Sequence, residues 1–266
     1  MDDDRKRYWN ETYYRYWKAR VEESNQSDPV NQSTKIQSDS KTAPDLTYLN
    51  AIAELGIRSE HSLLELGCGF GRKADTLYDL TKNLTFVDIS EAMIEVARSD
   101  NKHRPEIQFY LSEAEKLPFT GENFDRIMCF GTFDALFQKE ALIEMNRVLK
   151  LGGKLYVTGK NDLYFEDDEQ ALVAEQNARA KGHPNYFTDV KMLLEHLNVF
   201  GLSQDKGKFY LKRGDTFSDQ YVKSLPPYHY EFALLLTKTG PVQHNRTASL
   251  TISSPISKTF QKKNVS

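Results

Sequence analysis

From about Leu46 onward, short β-rich apolar runs alternate with stretches whose apolar residues recur at helical spacing. The runs Ser62 to Leu66, Leu84 to Asp88, Ile107 to Leu111, Phe124 to Phe130 and Lys154 to Gly159 read as strands. Helices are expected between them, beginning near Arg72, Glu91 and Ala135, with Gly152-Gly153 stopping the last before its strand. Repeated strand–helix units of this kind predict a doubly wound α/β domain with a mostly parallel sheet. Residues 166–180 read as an extra polar helix, Thr188 as the cap of another running to Leu197, and Tyr230 to Thr237 as a last strand at the far side of the sheet.

The two ends depart from this rhythm. Trp9, Tyr13, Tyr16, Trp17 and Arg20 fall on one face of a helix, and an aromatic face of that kind must dock on something. Glu23 to Asp45 is almost wholly polar and reads as a mobile linker or lid. Pro241 to Ser266 is polar and without periodicity, which predicts a flexible tail. The expected organisation is therefore an aromatic helix and polar lid over 1–45, one α/β domain over 46–239, and a tail over 240–266.

Composition narrows the chemistry. With 35 Lys+Arg against 38 Asp+Glu the formal net charge is −3, so there is no basic surplus to neutralise a phosphate backbone, and nucleic acid is not an expected partner. Cys68 and Cys129 are the two cysteines, too few for a disulfide framework and outside any metal-ligand spacing, so no metal is expected and a reducing compartment fits. No apolar run reaches the roughly 18 residues of a membrane span and no apolar core follows Met1 to Arg7; a cytoplasmic protein, monomer or homodimer, is the expectation.

The candidate chemistry begins at Leu63 to Arg72, a strand running into a glycine-rich turn and then a helix. Gly67, Gly69 and Gly71 remove side chains where a ligand must approach the backbone, and the helix N-terminus offers it free N–H groups. Asp88, ending the next strand about twenty residues on, stands where a carboxylate can accept both hydroxyls of a ribose; it or Ser90 could equally cap the helix at Glu91. The spacing is G-x-G-x-G, with Arg72 where a dinucleotide fingerprint has its third glycine, which weighs against a nicotinamide cofactor.

In these residues the chain resembles the class I S-adenosylmethionine-dependent methyltransferases, in the branch that includes quinone-biosynthesis and small-molecule enzymes. Glu65-Leu66-Gly67-Cys68-Gly69-Phe70-Gly71 is similar to the family's E/D-x-G-x-G-x-G. Ser112 to Phe119 resembles its G-D-A-E-x-L-P-F, and Glu144 to Gly153 its E-x-x-R-V-L-K-P-G-G. The blocks occur in order over about residues 45–160, with Glu113 in place of the usual Asp, Ser112 in place of a glycine and Leu151 in place of a proline.

The resemblance implies a seven-stranded Rossmann-like methyltransferase fold with an N-terminal helical lid, S-adenosyl-L-methionine as cofactor, and methyl transfer to O, N or C of a small-molecule acceptor. It places Gly67, Cys68, Gly69 and Gly71 around the methionine and ribose portion, with Glu65 organising the turn. Asp88 would hold the ribose, Ile89 and Met93 would pack on the adenine, Glu113 and Ala114 would meet its polar edge, and Phe130 would lie under the methionine chain. Tyr13 and Trp17 would close over the donor while Arg20 reaches its carboxylate, although the same stripe serves equally as the packing face of a first helix. For a general base Asp134 comes first and His183 next, followed by Tyr186 and His229. A cofactor-binding module without turnover, serving as sensor or partner subunit, is the alternative, because no residue is uniquely required for transfer from a sulfonium.

Overall fold

The computed structural model describes residues 3–19, 46–255 and 258–260; Arg20 and the expected linker lie outside them. The chain opens with α1 (Asp3–Arg7), which continues through a π-helical stretch (Tyr8–Tyr13) and helical residues 14–19. There follow α2 (Leu46–Leu55), β1 (Leu63–Leu66), α3 (Ala74–Leu80), β2 (Leu84–Asp88), α4 (Glu91–Asp100), β3 (Gln108–Leu111) and β4 (Phe124–Cys129). A 3-10 turn (Phe133–Ala135) leads to α5 (Gln138–Val148) and β5 (Leu149–Lys160), then β6 (Leu163–Phe165), α6 (Glu169–Ala180), β7 (Phe187–Thr188) and α7 (Val190–Glu195). The chain continues as β8 (Leu202–Tyr210), α8 (Asp215–Ser218), β9 (Glu231–Lys238), α9 (His244–Thr247), β10 (Ser253–Ser254) and β11 (Lys258–Phe260).

The main sheet has seven strands in the order β3-β2-β1-β4-β5-β9-β8, parallel except where β9 pairs antiparallel with both β5 and β8. Strands buried on both faces are mostly apolar, and all four residues of β1 are buried, three leucines and Glu65. Alternation along β4 sends Ile127 and Cys129 to one core with Leu142 and Met145 of α5, and Met128 to a second with Leu55 of α2 and Leu77 of α3. The doubly wound α/β fold is therefore present. The order runs outward in both directions from the β1/β4 pair, and the crevice that such a reversal opens at the carboxyl ends of the strands is where this fold binds ligands. Among the described residues no helix is long and apolar enough to cross a membrane.

Four details differ from the sequence pattern. The last predicted strand, now β9, is not the sheet edge; β8 lies outside it, with Gln204, Asp205 and Lys206 exposed. Thr188 does not cap α7, because it pairs in β7 and its hydroxyl donates to Gln138; Asp189 accepts from the Met192 N–H instead. The helix expected near Ala135 starts at Gln138, since Phe133–Ala135 closes as a 3-10 turn first. Residues 241–255 hold the short helix α9 and β10 rather than a loose tail, Ile252 is 1% exposed within the core, and its carbonyl accepts from the Asp189 N–H.

Candidate functional site

The turn after β1 is held where its backbone can face a ligand. The N–H groups of Gly67 and Cys68 both donate to the Val87 carbonyl, and the Gly69 N–H donates to Asp88 Oδ2 at 2.8 Å. Asp88 Oδ1 accepts from the Ser90 N–H, also at 2.8 Å, while Ser90 itself caps α4 through Met93. Asp88 thus ties the turn to β2 and leaves capping to its neighbour. Burial raises its pKa although these N–H groups oppose the rise. Two glycines are required here for different reasons. At Gly67, with φ +68°, a Cβ would stand 2.2 Å from the Thr132 side chain; at Gly69, with φ +54°, it would meet no atom within 4 Å and would project into open space.

That open space is a cavity of about 520 Å³ over the β1/β4 reversal, a size typical of small-molecule sites. Beneath it Glu65 is buried at 8% exposure and accepts a hydrogen bond from Tyr48 Oη at 2.9 Å; burial pushes its pKa up to about 7.

The N-terminal helix closes one side. Arg5 makes a two-point pair with Glu115 and stacks over Phe137, and Lys6 pairs with Glu113 at 2.7 Å. Asn10 Oδ1 accepts the Ala92 N–H at the start of α4, and Trp17 stacks on Phe70 at 4.5 Å beside Met93. Trp9, Tyr13 and Trp17 line the cavity.

The opposite wall comes from β5, β9 and the turn after β4. Lys160 Nζ lies 3.3 Å from Asp134 Oδ2 and 3.1 Å from Glu175 Oε1, and although burial alone would lower its pKa these two carboxylates raise it. Glu231, opposite Lys160 in the β5–β9 ladder, faces the same cavity, and burial pushes its carboxyl pKa up to about 7.

A family profile described as a methyltransferase domain matches residues 64–157, from within β1 to within β5. The ubiquinone/menaquinone biosynthesis C-methyltransferase UbiE of Pseudomonas entomophila is 36% identical over 109 residues, 38% of this chain and 43% of that protein. Its counterpart from Pseudomonas fluorescens is 34% identical over 132 residues, 47% of this chain and 50% of that protein. The chain thus spans about half the length, or less, of these curated relatives. Geranyl diphosphate C-methyltransferase of Streptomyces coelicolor, solved with Mg2+, geranyl diphosphate and S-adenosyl-L-homocysteine, superposes with a TM-score of 0.58 at 12% identity, covering 80% of this chain and 86% of that one. Residues 64–157 are thus similar to a methyltransferase domain, set in a fold shared with that solved structure.

Within this fold the cavity gathers most residues that the sequence singled out. Glu65, Gly67, Cys68, Gly69, Asp88, Ile89, Met93, Ala114 and Phe130 all line it, as does Asp134. Gly71 does not; it packs toward Ala97 and Asn101 of the α4 region. Glu113 turns to Lys6, and Glu115, two residues on, lines the cavity instead. His183 stands behind the aromatic helix, its Nδ1 2.9 Å from Tyr8 Oη, where burial lowers its pKa; with Tyr186 it borders a separate cavity of about 180 Å³. His229 is buried beside Phe209 and Asn161, with a pKa lowered by burial to about 4. Arg20 lies outside the described residues. Arg5, Lys160, Arg213 and Glu231 reach the cavity and were not found from sequence, because each is an isolated charge whose partners lie far away along the chain.

Proposed function

We propose that this protein transfers the methyl group of S-adenosyl-L-methionine to a small-molecule acceptor in the cytoplasm. The observation that carries the reading is the turn at Gly67–Gly69, tied by Asp88 at the mouth of a 520 Å³ cavity, within a methyltransferase domain. The residues present suit that cofactor. Gly69 leaves an unfilled cradle, Asp88 offers carboxylate oxygens to ribose hydroxyls, and Met93, Phe130 and the Trp17–Phe70 stack supply apolar walls for the adenine and methionine portions. The bound donor supplies an already activated methyl group, so the chain's task is to align the acceptor and exclude water.

A small acceptor fits the enclosed site between the N-terminal helix and β5/β9, whose far wall mixes aromatic rings with Lys160, Arg213, Asp134 and Glu231. The C-methyltransferase activity named for the UbiE relatives is compatible with that pocket, and the atom methylated here is left to experiment. Calorimetric titration with S-adenosyl-L-methionine and S-adenosyl-L-homocysteine tests the reading, with Asp88→Ala alongside. Micromolar binding lost in the variant supports it; absence of binding to the wild type at millimolar ligand overturns it.

A further inference from the structure

The far wall of the cavity carries two carboxylates in unlike states. Asp134 Oδ2 is engaged by Lys160, whose ammonium is shared with Glu175. Glu231 is not engaged in this way: its Oε2 is buried and has no hydrogen-bond partner among the described residues, while Thr216 supports the carboxyl by a hydrogen bond. A buried carboxylate oxygen left without a donor costs stability unless something else supplies one. Strand pairing directs this group into the cavity. Lys160 of β5, Glu231 of β9 and Tyr210 of β8 share one rung of the sheet, so their side chains lie on one face, and all three line the site. Strands about 4.8 Å apart put β9 roughly 10 Å across the sheet from β4, whose following turn, Gly131-Thr132, adjoins the glycine turn. That is room for one acceptor group between donor and carboxylate.

We propose that Glu231 binds the methyl-accepting atom, and that the acceptor is a molecule whose nucleophile is a hydroxyl or an amine. This rests on the donor site proposed above. The lone pair of the nucleophile forms the bond to the methyl carbon, the carbon–sulfur bond breaks with its electrons remaining on sulfur, and the proton of the nucleophile passes to Glu231 Oε2 and then to water. Neutral thioether and methylated acceptor are the products. Lys160 and Arg213 stand near enough to favour the ionised carboxylate that accepts the proton, while Asp134 opposes it.

The test needs no knowledge of the natural acceptor. Sinefungin, the donor analogue with an amine in place of the transferable methyl, directs that amine from the donor site toward the acceptor side. Its affinity is compared with that of S-adenosyl-L-homocysteine, which has no group there, in wild type, Glu231→Gln and Asp134→Asn. Sinefungin is expected to bind the wild type about 10-fold more tightly at pH 8, a preference reduced to about 1-fold in Glu231→Gln with S-adenosyl-L-homocysteine affinity unchanged within about 2-fold. A preference that survives Glu231→Gln, or one that only Asp134→Asn removes, overturns the proposal and leaves the donor site standing. If neither ligand binds the wild type, the donor site itself fails and the proposal with it. A measurement on the wild type alone covers the case in which Glu231→Gln does not fold. The groups facing Glu231 are Lys160, Tyr210, Arg213, Thr216 and Asp134, and with the carboxyl near pH 7 the sinefungin preference should fall between pH 8 and pH 6 as Glu231 takes up a proton. A preference constant over that range overturns the assignment.

Discussion

The guanidinium of Arg5 meets the carboxylate of Glu115 at 2.5 and 3.1 Å, joining the first helix of the chain to the loop after β3. Both side chains are buried, at 3% and 9% exposure, and Glu115 Oε1 also accepts the Phe137 N–H. Removing one partner of a buried pair costs roughly 3 kcal/mol, because the other charge is left without compensation. The helix can lift away while the sheet stays folded, so the loss should appear locally. In Glu115→Ala, hydrogen exchange over residues 3–19 is expected to accelerate up to about 100-fold with little change in the protection of β1 and β4. Equal loss in the strands would refute a separately docked helix.

Both tryptophans of the chain, Trp9 and Trp17, lie on that helix and line the cavity. Binding of S-adenosyl-L-homocysteine should therefore change the intrinsic emission. Trp17 stacks on Phe70 of the glycine turn, so Trp17→Phe should remove most of the change and weaken binding by less than about 10-fold, since a ring is retained. An emission that ignores the ligand would place the helix away from the donor.

Alanine at the two glycines separates fold from binding. Gly67→Ala drives its Cβ into Thr132 and forces a left-handed backbone, so a fall in Tm of several degrees is expected together with loss of binding. Gly69→Ala carries only the backbone cost, of order 1 kcal/mol, while its methyl enters the cavity. Thermal unfolding should show Gly69→Ala close to wild type, and calorimetry should show its affinity for S-adenosyl-L-homocysteine reduced at least 10-fold.

Glu65 gives a pH dependence with a defined sign. Its carboxyl is raised by burial from the ordinary 4.5 to about 7, so the folded state holds a proton that the unfolded chain releases. Its protonated form is the stable one in the fold, and stability is lost as pH rises from about 4.5 through 7. At about 1.4 kcal/mol per pH unit the effect is on the order of 3 kcal/mol. Chemical denaturation of Glu65→Gln and wild type should give similar stabilities near pH 4.5 and a growing advantage for Glu65→Gln toward pH 7.5. Parallel pH profiles would refute the assignment.

The parallel half of the sheet and the glycine turn were legible in the chain because their requirements are local. A strand covered on both faces is mostly apolar, as in the three leucines of Leu63–Leu66, and a left-handed turn next to a ligand excludes Cβ atoms, as at Gly69. β8 was missed for the converse reason. It is an edge strand, and its Ser203, Gln204, Asp205, Lys206 and Gly207 carry a polar pattern that also describes a loop, until Phe209 and Tyr210 are seen to be buried. Residues 241–255 were similarly hidden, because a single buried apolar side chain, Ile252, anchors a largely polar segment.

The sequence alone determined the position of the glycine turn and the carboxylate of Asp88, which follow from short-range patterns of backbone freedom and burial. Tertiary structure decided which charges face the cavity and which are already paired. Asp134 and Glu231 are 97 positions apart and equally acidic on paper, yet the strand ladder sets Lys160 between them and gives it to Asp134 and Glu175. Desolvation and pairing belong to the space around a side chain, and that space exists only once β5 and β9 are side by side.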